Sequence, residues 1–390
     1  MSYRRMSELD LHGKRVLIRE DLNVVIKEGK VVNDTRLRAA LPTIEEALDT
    51  AEQVILMSHL GRPEEGVPIS QQPEFSMQPV ADHLTDLLDR QVPMVANYRQ
   101  NHATVAKAGK LIMLENVRLN EGEKHNDEPL AQDYAKLCEV FVMDAFGTAH
   151  RAQASTHGVA RFASEACAGP LLAKELDSLD RLLANPERPL LAIVGGAKVS
   201  NKLKLLSRLS GIVDQLIVGG GIANTFLLAS GVQIGASLCE PELIDTAQQL
   251  MEKTSIPLPQ DVVVATEFDA TAVGRVKSIG ELAKNDKILD IGPKTAKALS
   301  GIIAEMRTIL WNGPVGVFEF DNFAHGTKQI AEAVAANTGF SIAGGGETIA
   351  AIDKFGVTDK LSYISTGGGA FLEYVQGNEL PAVAMLRLRA

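Results

Sequence analysis

Four stretches in the second half of the chain decide its fold: LLAIVGGAKVSNK (190–202), QLIVGGGIANT (215–225), FSIAGGGETIA (340–350) and LSYISTGGGAF (361–371). Each reads as an apolar run of strand length, then two or three glycines, then a helix start. A strand that turns through glycine into a helix leaves backbone N–H groups without intrahelical partners. It also sets the positive end of the helix dipole at the same corner. Such a corner suits a phosphate. Four corners on one sheet point to a ligand with several phosphates, most simply a nucleotide.

Outward from these corners, short apolar runs alternate with helical stretches along the whole chain. The first half offers RVLIR (15–19), QVILMS (53–58), LIMLE (111–115) and VFVMD (140–144); the second adds DVVVA (261–265) and TILW (308–311). Segments 38–51, 129–137, 241–253 and 325–337 have helical spacing or composition. This alternation predicts βαβ units and parallel sheets, with every strand's C-terminal end on one edge, where ligands of open α/β sheets bind. A chain of 390 residues exceeds one ordinary core. Between the halves, Leu172, Leu176, Leu179 and Leu183 line one face of a helix bracketed by Pro170 and Pro186. The predicted fold is α/β: two doubly wound, Rossmann-like parallel-sheet domains, each a three-layer α/β/α stack, joined by a connecting helix. The expected boundaries are 1–170, 171–185 and 186–376.

Aromatic residues make up only 5% of the chain, so Val, Ile, Leu and Ala supply most of the core, as suits sheets covered on both faces. A net charge of −10 argues against nucleic acid as a partner. The three cysteines, Cys138, Cys167 and Cys239, have no metal-ligand spacing and read as reduced structural thiols. No apolar run reaches membrane-spanning length and the start lacks a signal-peptide pattern, so a soluble, cytoplasmic protein without membrane contact is expected.

The first half ends its strands differently from the second. Arg19-Glu20-Asp21-Leu22-Asn23, Ser58-His59-Leu60-Gly61-Arg62, Glu115-Asn116-Val117-Arg118 and Asp144 through Arg151 follow successive strands, and Arg36 opens the next helix. Arginine's planar fork matches carboxylate and phosphate oxygens in pairs. Arg19, Arg36, Arg62, Arg118 and Arg151 converging on one edge of an acidic protein describe a pocket for a small, multiply anionic ligand.

In the second half, Lys198 and Lys202 follow the first glycine corner. A helix beginning near Val199 would let both ammonium groups reach a phosphate chain. GxxxxGK[ST] is absent, and GGGIAN is not the dinucleotide fingerprint, which disfavours a dehydrogenase. Glu347 at a helix start is either a dipole-favoured cap or a carboxylate for Mg²⁺ carried by nucleotide phosphates. In WNGPVGVFE (311–319) the loop can lie against a base and ribose, with Glu319 accepting from ribose hydroxyls; Trp311 reads more simply as core.

These residues closely resemble the phosphoglycerate kinase family. VLIREDLNV, DTRLRAALPTI, SHLGRP, LENVR, DAFGTAHR, GGAKVSNK, LWNGPVGVFE, GGGETIA and STGGGA occur in the family's order, almost end to end. The resemblance implies 3-phosphoglycerate or 1,3-bisphosphoglycerate on the N-terminal domain, contacted by Asp21, Leu22, Asn23, Arg36, His59, Leu60, Gly61, Arg62, Arg118 and Arg151. It implies ATP or ADP with Mg²⁺ on the C-terminal domain, contacted by Gly196, Ala197, Lys202, Asn312, Glu319, Gly345, Gly346, Glu347 and Thr348, with Glu347 toward the metal. Arg36, Lys198, Gly345 and Gly368 would support the moving phosphoryl group. A monomer is implied, with the tail 377–390 folded back on the N-terminal domain and with the halves closing for transfer. Two departures stand out: Val25 replaces a proline of the first motif, and Glu347 stands where many relatives carry Asp. The corner at 219–221 is expected either to line the base pocket or to let a helix pack closely.

Overall fold

The structure, a computed structural model, describes residues 2–390. Residues 2–177, together with Glu379–Ala390, pack as one unit, and Ser178–Asn378 as a second.

The first unit is built on strands β1 (Arg15–Arg19), β4 (Gln53–Met57), β5 (Met94–Val95), β6 (Leu111–Leu114), β7 (Val140–Met143) and β8 (Glu165–Ala168), with a small hairpin of β2 (Ile26–Lys27) and β3 (Lys30–Val31). The sheet order is β5-β6-β4-β1-β7-β8, and every pair is parallel. VLIR, VILM and VFVM do not alternate in polarity because both faces are covered: Val16, Leu17 and Ile18 are each fully buried. One face packs on the helix Thr35–Thr50 through Leu37, Ala40, Ile44 and Ala47. The order reverses between β1 and β7, so their C-terminal ends form a switch-point crevice. The tail helix Pro381–Leu388 belongs to this unit: Ala382 N–H donates to Ala149 O at 3.1 Å and Arg389 to Ala163 O at 2.8 Å.

The second unit carries β9 (Leu190–Gly195), β10 (Gln215–Gly219), β11 (Asp261–Ala265), β12 (Arg275–Ser278), β13 (Lys287–Ile291), β14 (Thr308–Asn312), β15 (Phe340–Gly344) and β16 (Tyr363–Ser365). Its main sheet, β10-β9-β14-β15-β16, is parallel throughout, with the reversal between β9 and β14.

Three local expectations are corrected. DVVVA does not join the parallel sheet: β11 pairs antiparallel with β12 and β13 in a separate three-stranded sheet. The segment 266–274 after it forms no helix, so the chain returns as a strand. On the helix Pro170–Leu183, Leu172, Leu176 and Leu179 are buried as expected, but Leu182 takes the buried position assigned to Leu183. After the first glycine corner the α-helix starts at Leu203, not Val199, preceded by a 3₁₀ turn at Ser200–Lys202. Both the N–H and the hydroxyl of Ser200 donate to Glu240, which holds that tighter turn. At the other three corners the helix begins beside the glycines, at Gly220, Gly346 and Gly368.

The three cysteines are free thiols. Among the described residues, no helix is long and apolar enough to cross a membrane.

Candidate functional site

At the C-terminal ends of β1, β4 and β6 the loops tie one another together. Arg36 donates to Asp21 Oδ1 at 3.1 Å and to Asn23 O at 2.9 Å. Asn23 Oδ1 accepts from Gly61 N–H at 2.8 Å, and Arg118 donates to Gly61 O at 2.6 Å. Asn116, given no role from sequence, shapes the loop after β4 by donating to Leu60 O and Phe75 O at 2.8 and 2.9 Å. Arg62 and Arg151 are exposed.

The electrostatics register how close these cations lie. His59 is 3% exposed. Burial, then the charges of Arg19, Arg118, Arg151 and Arg36, hold its imidazole well below the ordinary histidine range, so it is neutral. Burial, reinforced by Arg151 and Arg19, pushes Arg118 down to about 10. Mutually repelling cations held at one sheet edge are stabilised when an anion enters between them.

Three residues of these motifs turn their side chains away from solvent. Leu22 and Leu60 are buried in the apolar core, so only their backbone remains available. Arg19 is fully buried: it donates to Ser155 Oγ at 3.0 Å and to Glu20 O, and lies 3.3 Å from His59 Nδ1.

In the second unit a cavity of about 490 Å³ opens at the C-terminal edge of the main sheet. Of the residues expected there, Gly196, Ala197, Glu319 and Glu347 line it. Its apolar wall joins Val317, from the loop expected at the base, to Leu238, Phe268 and Leu289, which come from segments without a glycine signature and carry no signal in the sequence. Gly220 and Gly221 line it too, so the corner at 219–221 shapes its floor. That corner is also tight: a Cβ on Gly221 would lie 2.1 Å from Ala197 O.

Asn312, Thr348 and Lys202 hold the scaffold behind this cavity and do not line it. Asn312 donates to Gly344 O at 2.7 Å, and Thr348 donates to Gly344 O at 2.9 Å while accepting from Gly313 N–H at 2.8 Å. Lys202 Nζ is turned onto Gly195 O at 2.6 Å and Asn312 Oδ1 at 2.7 Å, and burial pushes it down to about 8. Trp311 is fully buried, its N–H donating to Gly313 O at 3.0 Å. Lys198 is exposed.

Gly345 and Gly346 open the helix Gly346–Lys354, and Gly368 opens Gly368–Val375. Glu347 is exposed on the first turn of its helix and faces the cavity. Among the described residues, no group of three or more His, Cys, Asp or Glu could hold a metal. One carboxylate beside a phosphate corner fits Mg²⁺ carried by a nucleotide, not a cation caged by protein.

The phosphoglycerate kinase family model matches residues 6–378. Among solved structures, the chain is similar to phosphoglycerate kinase from Coxiella burnetii, with 51% identity, 100% of both chains covered and a TM-score of 0.93. It is also similar to phosphoglycerate kinase from Pyrococcus horikoshii OT3, with 31% identity, 99% of both chains covered and a TM-score of 0.81. An arginine-ringed cleft on one parallel sheet, a glycine-cornered cavity on another and this match over nearly the whole length agree: the chain belongs to the phosphoglycerate kinase family.

Proposed function

We propose that the first unit takes 3-phosphoglycerate between Arg36, His59, Arg62, Arg118 and Arg151, and that the second takes Mg-ATP or Mg-ADP along its glycine corners. The observation that carries this reading is the crowding of cations around His59, which an anion with both a carboxylate and a phosphate relieves. Asp21 and Asn23 orient Arg36 and the Gly61 loop. The apolar wall of the second cavity suits a base, with Glu319 at the ribose and Glu347 toward the metal.

The family's reaction moves a phosphoryl group between ATP and the carboxylate of 3-phosphoglycerate, giving ADP and 1,3-bisphosphoglycerate. A carboxylate is already ionised at neutral pH, so this transfer needs no general base. Rate comes from positioning and from cancelling charge on the transferring group. Lys198 and Arg36 supply cations, and the N–H groups at Gly345–Gly346 and Gly367–Gly369 supply donors. Mg²⁺, when bound with the nucleotide, neutralises phosphate charge. We further infer a cytoplasmic monomer.

The test is a coupled assay with 3-phosphoglycerate and Mg-ATP, in which NADH oxidation must depend on added coupling dehydrogenase. Turnover that requires both substrates supports the reading; oxidation without the coupling enzyme contradicts it.

A further inference from the structure

Behind the arginine cleft, buried polar groups form a chain with a fixed direction. Ser155 N–H and hydroxyl both bond the Glu123 carboxylate, and Arg19 Nε–H donates to Ser155 Oγ at 3.0 Å. Arginine has no acceptor, so the Ser155 oxygen accepts from Arg19 and its own hydrogen goes to Glu123. Arg19 Nη1 is taken by Glu20 O, leaving Nη2 3.3 Å from His59 Nδ1. That contact has one polarity: the guanidinium donates and Nδ1 accepts. A nitrogen that accepts carries no proton, so the ring is neutral and its proton sits on Nε2.

We propose that Arg19 is a positioning residue for the acid substrate: it fixes His59 as the neutral tautomer protonated on Nε2, so that an N–H, not a lone pair, meets an oxygen of the ligand. This rests on the assignment of the cleft to 3-phosphoglycerate. A free imidazole in water mixes two tautomers and protonates near pH 6.5. Set among cations it could turn a lone pair toward the ligand, which would repel carboxylate or phosphate oxygen. The buried fork prevents this. Burial and the surrounding arginines hold the ring below its usual range, in agreement with an uncharged donor. Glu123, itself pushed up to about 6 by burial, anchors the far end of the chain.

The experiment is ¹⁵N NMR of ring-labelled histidine in the full-length protein, with His59 assigned by its loss in His59→Gln. In the ligand-free wild type, the expected pattern is the Nε2–H tautomer, unchanged between pH 6 and 8. An Nδ1–H pattern, or a ring that titrates near its ordinary value, overturns the proposal. Ser155→Ala frees one arm of Arg19 without touching the cleft. It is expected to mix the tautomers and to raise KM for 3-phosphoglycerate about tenfold with kcat within about twofold, the scale of one lost hydrogen bond. An unchanged tautomer with wild-type KM overturns the role. If 3-phosphoglycerate perturbs no resonance in the wild type, the acid-site assignment falls and the donor role with it. A wrong tautomer in a protein that still binds 3-phosphoglycerate overturns the positioning role alone.

Discussion

Lys202 Nζ lies 2.7 Å from Asn312 Oδ1, joining the 3₁₀ turn after the first glycine corner to the end of the strand across the switch point. The same ammonium reaches Gly195 O at 2.6 Å and Asn312 O at 3.1 Å. A cation is therefore stored directly behind the corner assigned to nucleotide phosphates, with its pKa brought down to about 8 by burial.

This storage makes nucleotide affinity depend on pH. A bound phosphate favours the charged amine and raises its pKa above the free protein's value, so the complex holds more protons than its parts above pH 8. ADP affinity is expected to fall as pH rises from 8 to 9.5, by up to about tenfold per unit. Lys202→Met should bind weakly with little slope. Equal wild-type dissociation constants at pH 7 and pH 9.5 would contradict the assignment.

Lys198 is exposed, in contrast to Lys202, and is assigned to the group in transit. Lys198→Ala is expected to lose about 10²–10³ in kcat, the usual loss for one transition-state contact. ATP affinity should stay within about threefold. Near-normal kcat in steady-state assays would remove Lys198 from that role.

Glu20 and Asp144, at the ends of neighbouring β1 and β7, are a buried carboxyl pair. Asp144 accepts from Leu172 N–H at 2.9 Å and from Thr43, and burial raises it to about 6. Burial, and then Asp144, holds Glu20 well above the usual carboxylate range. A raised folded pKa means that the folded state binds the extra proton, so this pair's contribution to stability falls as pH rises from the ordinary carboxylate range through about 6 and beyond. Glu20→Gln keeps a donor without the titration. Relative to wild type it should be more stable at pH 8 than at pH 5, by about 1–3 kcal/mol at roughly 1.4 kcal/mol per pKa unit. Urea unfolding at both pH values measures this, and parallel behaviour of the two proteins would rule the pair out as a proton holder.

Gly345 turns β15 into its helix with φ +98°, and a Cβ there would lie 2.7 Å from Asn312 Nδ2. Gly345→Ala is therefore expected to lower stability by about 1–3 kcal/mol. It should also weaken ADP binding by displacing Asn312 from Gly344 O. Wild-type urea midpoint and ADP affinity in this variant would show that the corner tolerates a side chain.

What the chain discloses before folding follows from range. The central strands were legible because runs such as VLIR and LLAIV are apolar without alternation, and the glycine corners because the turn itself demands them. Side-chain direction was not. Arg19, Leu22 and Leu60 sit in the same short motifs as residues of the cleft, yet are buried, because Arg19 ends a strand and Leu22 and Leu60 lie in loops whose side-chain directions are set by packing. Nor does the sequence disclose that Lys202, Asn312 and Thr348 bond backbone more than a hundred residues away or at a neighbouring corner. The cavity's apolar wall draws on β13 and on the segment after β11, a pairing that local periodicity does not encode.

The central claim is a division of labour: acid substrate on the first unit, nucleotide on the second. Titration calorimetry of 3-phosphoglycerate and of ADP against wild type and Arg118→Met tests it most directly, since Arg118 lies only in the first cleft. Loss of at least about tenfold in 3-phosphoglycerate affinity is expected, the scale of one charged contact, with ADP affinity within about twofold. Equal losses for both ligands, or unchanged binding of 3-phosphoglycerate, would contradict the account.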